Sequence, residues 1–186
     1  MSDTEYFVHQ DTGKGASATF HSNWNKEIGT ESDALALAAK IASDGRMTIS
    51  VADAGTGMAR AAHLRRLSVY SITRDQILET TVSDGVPSET RPVAPPVVAS
   101  PNAAVSYKVE ITGALGEGTL SLSDTYATAE AAEARAAERL ANGPTEFRPV
   151  PTFTVSITRE VRTDLKRYAT SAIGTRLGRP LREVSL

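Results

Sequence analysis

Between Val105 and Ile157 apolar and polar residues alternate in short runs. Val105, Tyr107, Val109 and Ile111 share one parity, and Ser106, Lys108, Glu110 and Thr112 the other. That is the period of a strand with one buried side. Leu120 and Leu122 alternate with Thr119, Ser121 and Ser123, and Phe153, Val155 and Ile157 with Thr152, Thr154, Ser156 and Thr158. One side is apolar and the other hydroxyl-rich, the pattern of an antiparallel sheet covered on one side only. Before the last run, Ala129, Ala132, Ala136 and Leu140 recur at helical spacing, with Glu130, Arg135, Glu138 and Arg139 mostly elsewhere. The spacing predicts a helix over 129–141 lying on the apolar side, where small alanines permit close approach.

A similar order occurs earlier in the chain. Tyr6-Phe7-Val8, the turn Gly13-Lys14-Gly15 and a run to Trp24 match Tyr107-Lys108-Val109, the turn Gly113 to Gly118 and a run to Tyr126. A helical pattern follows in each half, Ser32 to Ser43 stopped by Asp44-Gly45, and Ala129 to Ala141 stopped by Asn142-Gly143-Pro144. Thr30 with Asp33, and Thr128 with Glu130, supply N-terminal acceptors and negative charge. Ser71-Ile72-Thr73-Arg74-Asp75 then matches Ser156-Ile157-Thr158-Arg159-Glu160. The expected fold is α+β: two tandem β-β-α-β repeats, antiparallel sheets each covered on one face by a helix, plus a C-terminal helix and an extended tail.

The expected boundaries are residues 1–78 for the first repeat, 79–104 for a linker, 105–160 for the second repeat, and 161–186 for the C-terminal helix and basic tail. The first repeat is longer by roughly a dozen residues, which reads as an inserted hairpin near 46–66. The linker holds Pro87, Pro92, Pro95, Pro96 and Pro101. At about 3 Å per residue it reaches far enough for the repeats to pack within one chain or exchange between chains. Beyond 160, Val161, Leu165, Tyr168 and Ala172 recur at i, i+4, i+7 and i+11, with Arg159, Arg162 and Lys166 beside them, and this predicts the third helix.

Charge separates the two ends. The chain has 186 residues and a net charge of -2, yet residues 159–186 carry seven basic against three acidic side chains, a basic arm on an acidic body. There is no cysteine, which excludes disulfides, thiol nucleophiles and Cys-based metal sites. The longest apolar run, Ala34 to Ala39, falls far below the roughly 20 residues of a membrane helix. The acidic start, Met1 to Glu5, has no apolar signal region. The expected partners include no membrane, and the expected compartment is the cytoplasm, or the virion if the chain is phage-encoded.

Candidate chemistry is sparse. Thr48 to Met58 contains Asp53-Ala54-Gly55-Thr56-Gly57, which resembles the Asp-x-Gly-x-Gly box of the GHKL ATPase family. The resemblance implies that Asp53 binds an adenine amino group and that Gly55 and Gly57 admit the nucleotide to the backbone. That family's Glu-x-x-x-Asn box has no counterpart in Asp33 to Leu37. An Asp/Gly-rich hairpin turn accounts for the same residues. Asp11-Thr12-Gly13 reads as a turn, and Gly13-Lys14 lacks the rest of a P-loop. Parity puts His9 and His21 on one uncovered face with no third ligand in register, and His63 stands apart. Neither a metal nor a cofactor is expected.

The expectation is therefore not an enzyme but a protein-interaction or assembly component, a homo-oligomer or a subunit of a virion or other bacterial particle. The residues expected to meet a protein partner, another copy or a larger assembly, are Arg162, Lys166, Arg167, Arg176, Leu177, Arg179, Leu181, Arg182 and Leu186. The tail from Leu177 onward is expected to dock on another chain. Two alternatives accompany this reading: a degenerate ATP-binding protein using Asp53, Gly55 and Gly57, and a nucleic-acid-associated protein using Arg162, Lys166 and Arg167.

Overall fold

The computed structural model describes residues 3–13, 17–21, 28–50, 59–88, 103–115, 118–143, 152–170 and 180–186. In chain order the elements are β1 (Asp3–Asp11), β2 (Ser17–His21), α1 (Glu31–Asp44), β3 (Arg46–Ser50), β4 (Ala59–His63), β5 (Arg66–Ser83), β6 (Val86–Pro87), β7 (Ala103–Leu115), β8 (Gly118–Tyr126), α2 (Ala129–Asn142), β9 (Thr152–Ala169) and β10 (Arg182–Val184). The architecture is α+β, mostly antiparallel sheet with two helices.

Local chemistry accounts for both helices. Thr30 caps α1 in a reciprocal box: its Oγ1 accepts from the Asp33 N–H at 3.2 Å, and Asp33 Oδ2 accepts from the Thr30 N–H at 2.9 Å. Gly45 ends the helix at φ 63°, a left-handed conformation that glycine adopts without a Cβ clash. Thr128 caps α2 more simply, its Oγ1 accepting from the Ala131 N–H at 3.3 Å. Gly143, at φ 67°, returns its N–H to Arg139 O at 2.8 Å.

The chain divides into two compact units. One, here the terminal unit, holds Thr4–Ile72 and Thr163–Leu186; the other, the central unit, holds Thr73–Arg162 together with Met1–Asp3. In the terminal unit the hydrogen-bonded order is β2-β1-β5-β9-β10. Its core gathers Val8, Ile28, Leu64, Leu67, Val69, Tyr168 and Leu181 around Ala34, Ala38 and Ala42 of α1. In the central unit the order is β8-β7-β9-β5-β6, and Val82, Val109, Ile111, Phe153, Val155 and Ile157 surround Ala132 and Ala136 of α2. Each large aliphatic residue so buried contributes about 1.5–3 kcal/mol. Strands β3 and β4 form a separate antiparallel pair, Arg46 opposite His63 and Ser50 opposite Ala59. Residues 51–58 between them, including Asp53, Gly55 and Gly57, lie outside the described residues.

The long strands β5 and β9 run through both units, and each changes parity on the way. In β9 the buried positions are 153, 155, 157, 159 and 161, and then 168. In β5 they are 67, 69, 71 and 75, and then 80 and 82. Within a single unit, an odd step between two residues of one core means that alternation slips by a residue, as a β-bulge produces. Adjacent Ile77 and Leu78 both pack on the central core, and Leu165 and Tyr168 both belong to the terminal one.

The slip in β9 explains the main correction to the sequence reading. Residues 161–169 are strand, not the expected C-terminal helix. Val161, Leu165 and Tyr168 imitate a helical stripe because the slip turns strand spacing into steps of four and three. The expected 79–104 linker is corrected too: 79–83 belong to β5, 86 and 87 form β6, β7 begins at Ala103, and 89–102 lie outside the described residues. The pairing of Ile72 with Ile157 also fails. Ile157 is 1% exposed in the central core, whereas Ile72 is half-buried and Ser71 takes the buried position beside it. Arg139, expected mostly outside the apolar stripe, is buried, with Nη2 4.0 Å from Asp124 Oδ2.

Candidate partner-binding edge

The tail returns to its own chain. The Leu181 N–H donates to Ala42 O at 2.9 Å, and its side chain is buried in the terminal core. From that anchor β10 pairs antiparallel with the end of β9: Arg182 opposite Ala169, Glu183 opposite Tyr168, and Val184 opposite Arg167. The expectation that the tail from Leu177 onward docks on another chain is corrected at Leu181, whose apolar side chain finds its burial within the same unit.

Register then decides what this edge presents. Leu67 and Tyr168 point to the core, so Arg66, Arg167 and Ala169 lie on the opposite side, as do Arg182 and Val184 through their pairing. The Thr170 N–H donates to Arg65 O at 3.1 Å, which sets Arg66 beside Ala169. Arg66, Ala169 and Arg182 therefore form one row across β5, β9 and β10, with about 10 Å between its outer members at the usual strand spacing. Arg66, Arg167 and Arg182 are all exposed. Arg167 is bridged to Asp164, whereas neither Arg66 nor Arg182 has a side-chain ion pair or hydrogen bond among the described residues. Beside them Val184 is 41% and Leu186 57% exposed.

On the core side of the edge, Lys166 Nζ lies 2.9 Å from Glu183 Oε2 and 5.7 Å from the centre of the Tyr168 ring. The hydrogen bond to Glu183, with the nearby Tyr168, raises the Lys166 pKa. This contact clamps β10 to β9.

The structure thus brings together four of the nine residues expected to meet a partner: Lys166, Arg167, Arg182 and, as an internal anchor, Leu181. Leu186 follows two residues after β10. Arg162 is exposed but belongs to the central unit, and Arg176, Leu177 and Arg179 lie outside the described residues. Sequence reasoning missed Arg66, while Val184 falls within the tail it expected to dock. No spacing along the chain signals Arg66, since only cross-strand register sets it beside Arg182.

Elsewhere Asp11 to Gly13 is a turn, with Asp11 Oδ1 accepting from the Gly13 N–H at 2.6 Å. His9 Nδ1 lies 2.8 Å from Thr19 Oγ1, and Phe7 stacks on Tyr70 at 5.0 Å. Among the described residues no group of three or more His, Asp or Glu is placed to hold a metal ion, and no helix is long and apolar enough to cross a membrane. No family model, curated protein or solved structure matches the chain.

Proposed function

We propose that this protein is a non-enzymatic interaction or assembly component that engages its partner at the β10 edge. One observation carries the reading. The sheet of the terminal unit ends in a three-residue strand with no strand on its far side among the described residues; the strand carries Arg182 and exposed Val184, exposed Leu186 follows it, and Arg66 stands in the same row two strands away. An open strand edge is a template for pairing with another chain, and apolar side chains beside it gain by being covered. The setting proposed for such a component is a multi-copy particle, a virion or other bacterial assembly.

Light scattering of the full chain tests this against Val184→Asp/Leu186→Asp, which leaves Leu181 in place. An assembled mass that falls to that of one chain in the variant supports the proposal. Equal masses for the two proteins overturn it.

The duplication belongs to the same proposal: two β-β-α-β units, each with its helix over one side of its sheet. The supporting frame is a shift of 86 residues, derived from buried pairs, rather than the 85 of the Ser71 and Ser156 strings. It matches Leu67 with Phe153, Val69 with Val155, and Val82 with Tyr168, all buried. It also matches the β5 parity slip, between 75 and 80, with the β9 slip between 161 and 168.

A further inference from the structure

We infer that the β10 edge receives an extended acidic segment, added as a further strand, with a carboxylate beside Arg182 and aliphatic side chains beside Val184 and Leu186. This rests on the assembly reading above and specifies the partner's chemistry.

Charge selects the occupant. Arg66, Arg167 and Arg182 lie on one side of three neighbouring strands, and only Arg167 has a carboxylate, Asp164, to answer it. Antiparallel pairing of two β10 strands from two copies would bring two such arginine sets to one seam, where like charges destabilise. An incoming strand bearing Asp or Glu turns the same arrangement into attraction, with Arg able to grip a carboxylate through two N–H groups. On the core side Glu183 is already answered by Lys166 at 2.9 Å, so the demand for negative charge falls on the arginine side alone.

Strand geometry sets the rest of the pattern. Side chains alternate along a strand, so Arg182 and Val184 share a side, and exposed Leu186 follows two residues beyond the strand. A matching segment places its carboxylate and its aliphatic residues at every second position on that side, while its backbone supplies the ladder hydrogen bonds.

The test uses the full chain and three fluorescent probes: a peptide alternating Glu and Val, the same peptide with Lys for Glu, and an oligothymidine. Anisotropy is expected to rise with the Glu/Val peptide only, and N-methylation of alternate backbone amides is expected to abolish the signal. Arg66→Glu/Arg182→Glu is expected to weaken binding roughly tenfold or more, and added salt to weaken it further. The inference is overturned if the Lys peptide binds as well, if the N-methylated peptide still binds, or if oligothymidine binds and the Glu/Val peptide does not. The two proposals fail separately. A mass that drops with Val184→Asp/Leu186→Asp, in a protein that ignores the Glu/Val peptide, leaves the assembly reading standing and removes the acidic strand.

Discussion

Asp75 and Arg159 meet across β5 and β9 in the central unit, with Oδ2 3.3 Å from Nη2 and side-chain exposures of 9% and 10%. Asp75 Oδ2 takes no hydrogen bond, so the contact is an ion pair without the geometry that makes such pairs strong. On the other side of the same strands Arg74 Nε donates to Glu160 Oε1 at 2.7 Å, with exposures of 35% and 27%. The buried pair has given up its hydration, and the outer pair has kept part of it.

Removing one member of the buried pair is therefore expected to cost far more than removing both. Asp75→Ala removes the carboxylate that faces the buried Arg159 guanidinium and is expected to destabilise the protein by about 3–5 kcal/mol. Asp75→Leu/Arg159→Met is expected to lie near wild type or above it. Urea midpoints of the three proteins decide the matter. A double variant as unstable as the single one would mean that the pair itself, not the buried charge that remains, accounts for the loss.

Leu181 and Val184 are expected to separate anchoring from partner binding. Leu181→Ala removes a buried side chain and is expected to cost about 2–5 kcal/mol, with faster amide exchange at Glu183 and Val184 as β10 loosens. Val184→Asp changes an exposed position and is expected to move stability by less than about 0.5 kcal/mol. Chemical denaturation with hydrogen exchange reads both, and equal losses would contradict the described burial.

The two helix caps give a graded comparison. Thr30→Ala removes two Oγ1 bonds to Asp33, one donated and one accepted, and keeps the backbone one, and is expected to cost about 1–2 kcal/mol. Thr128→Ala loses a single longer bond and is expected to cost about 0.5–1 kcal/mol. Thermal melts of the two variants rank them, and the reverse order would show that the Asp33 contact contributes nothing.

Glu110 predicts a pH dependence. Burial raises its pKa, but bonds from Ser121 Oγ at 2.8 Å and Lys108 Nζ at 3.1 Å outweigh this and hold it below the ordinary 4.5. A depressed carboxylate stabilises the fold fully above its unfolded value and loses that contribution as pH falls through the folded value. The stability difference between wild type and Glu110→Gln is thus expected to be constant above about pH 5 and to shrink through pH 4 and below. Urea titrations across that range test the sign.

Much of the secondary structure was legible because it rests on local chemistry. Thr30, Thr128, Gly45 and Gly143 mark the helix ends through bonds within a few residues. Val109, Ile111, Phe153, Val155 and Ile157 announce a buried strand side by simple alternation, and all are in the central core. The reading broke where alternation itself breaks. Val161 to Tyr168 took on a helical rhythm through one slipped residue, and the Ser71 and Ser156 strings aligned by composition at a shift that puts Ile72 off the core.

Taken alone, the amino-acid order determined the α+β class, both helices with their caps, the alternating strands, and a C-terminal end that is basic and apolar. Tertiary structure decided where that end goes: Leu181 turns inward against Ala42, and Arg66, more than a hundred positions away along the chain, comes into a row with Arg182. The reason is physical. Capping and alternation act over one to four residues and leave their trace in neighbouring letters, whereas strand register and a one-residue slip are set by packing between distant segments.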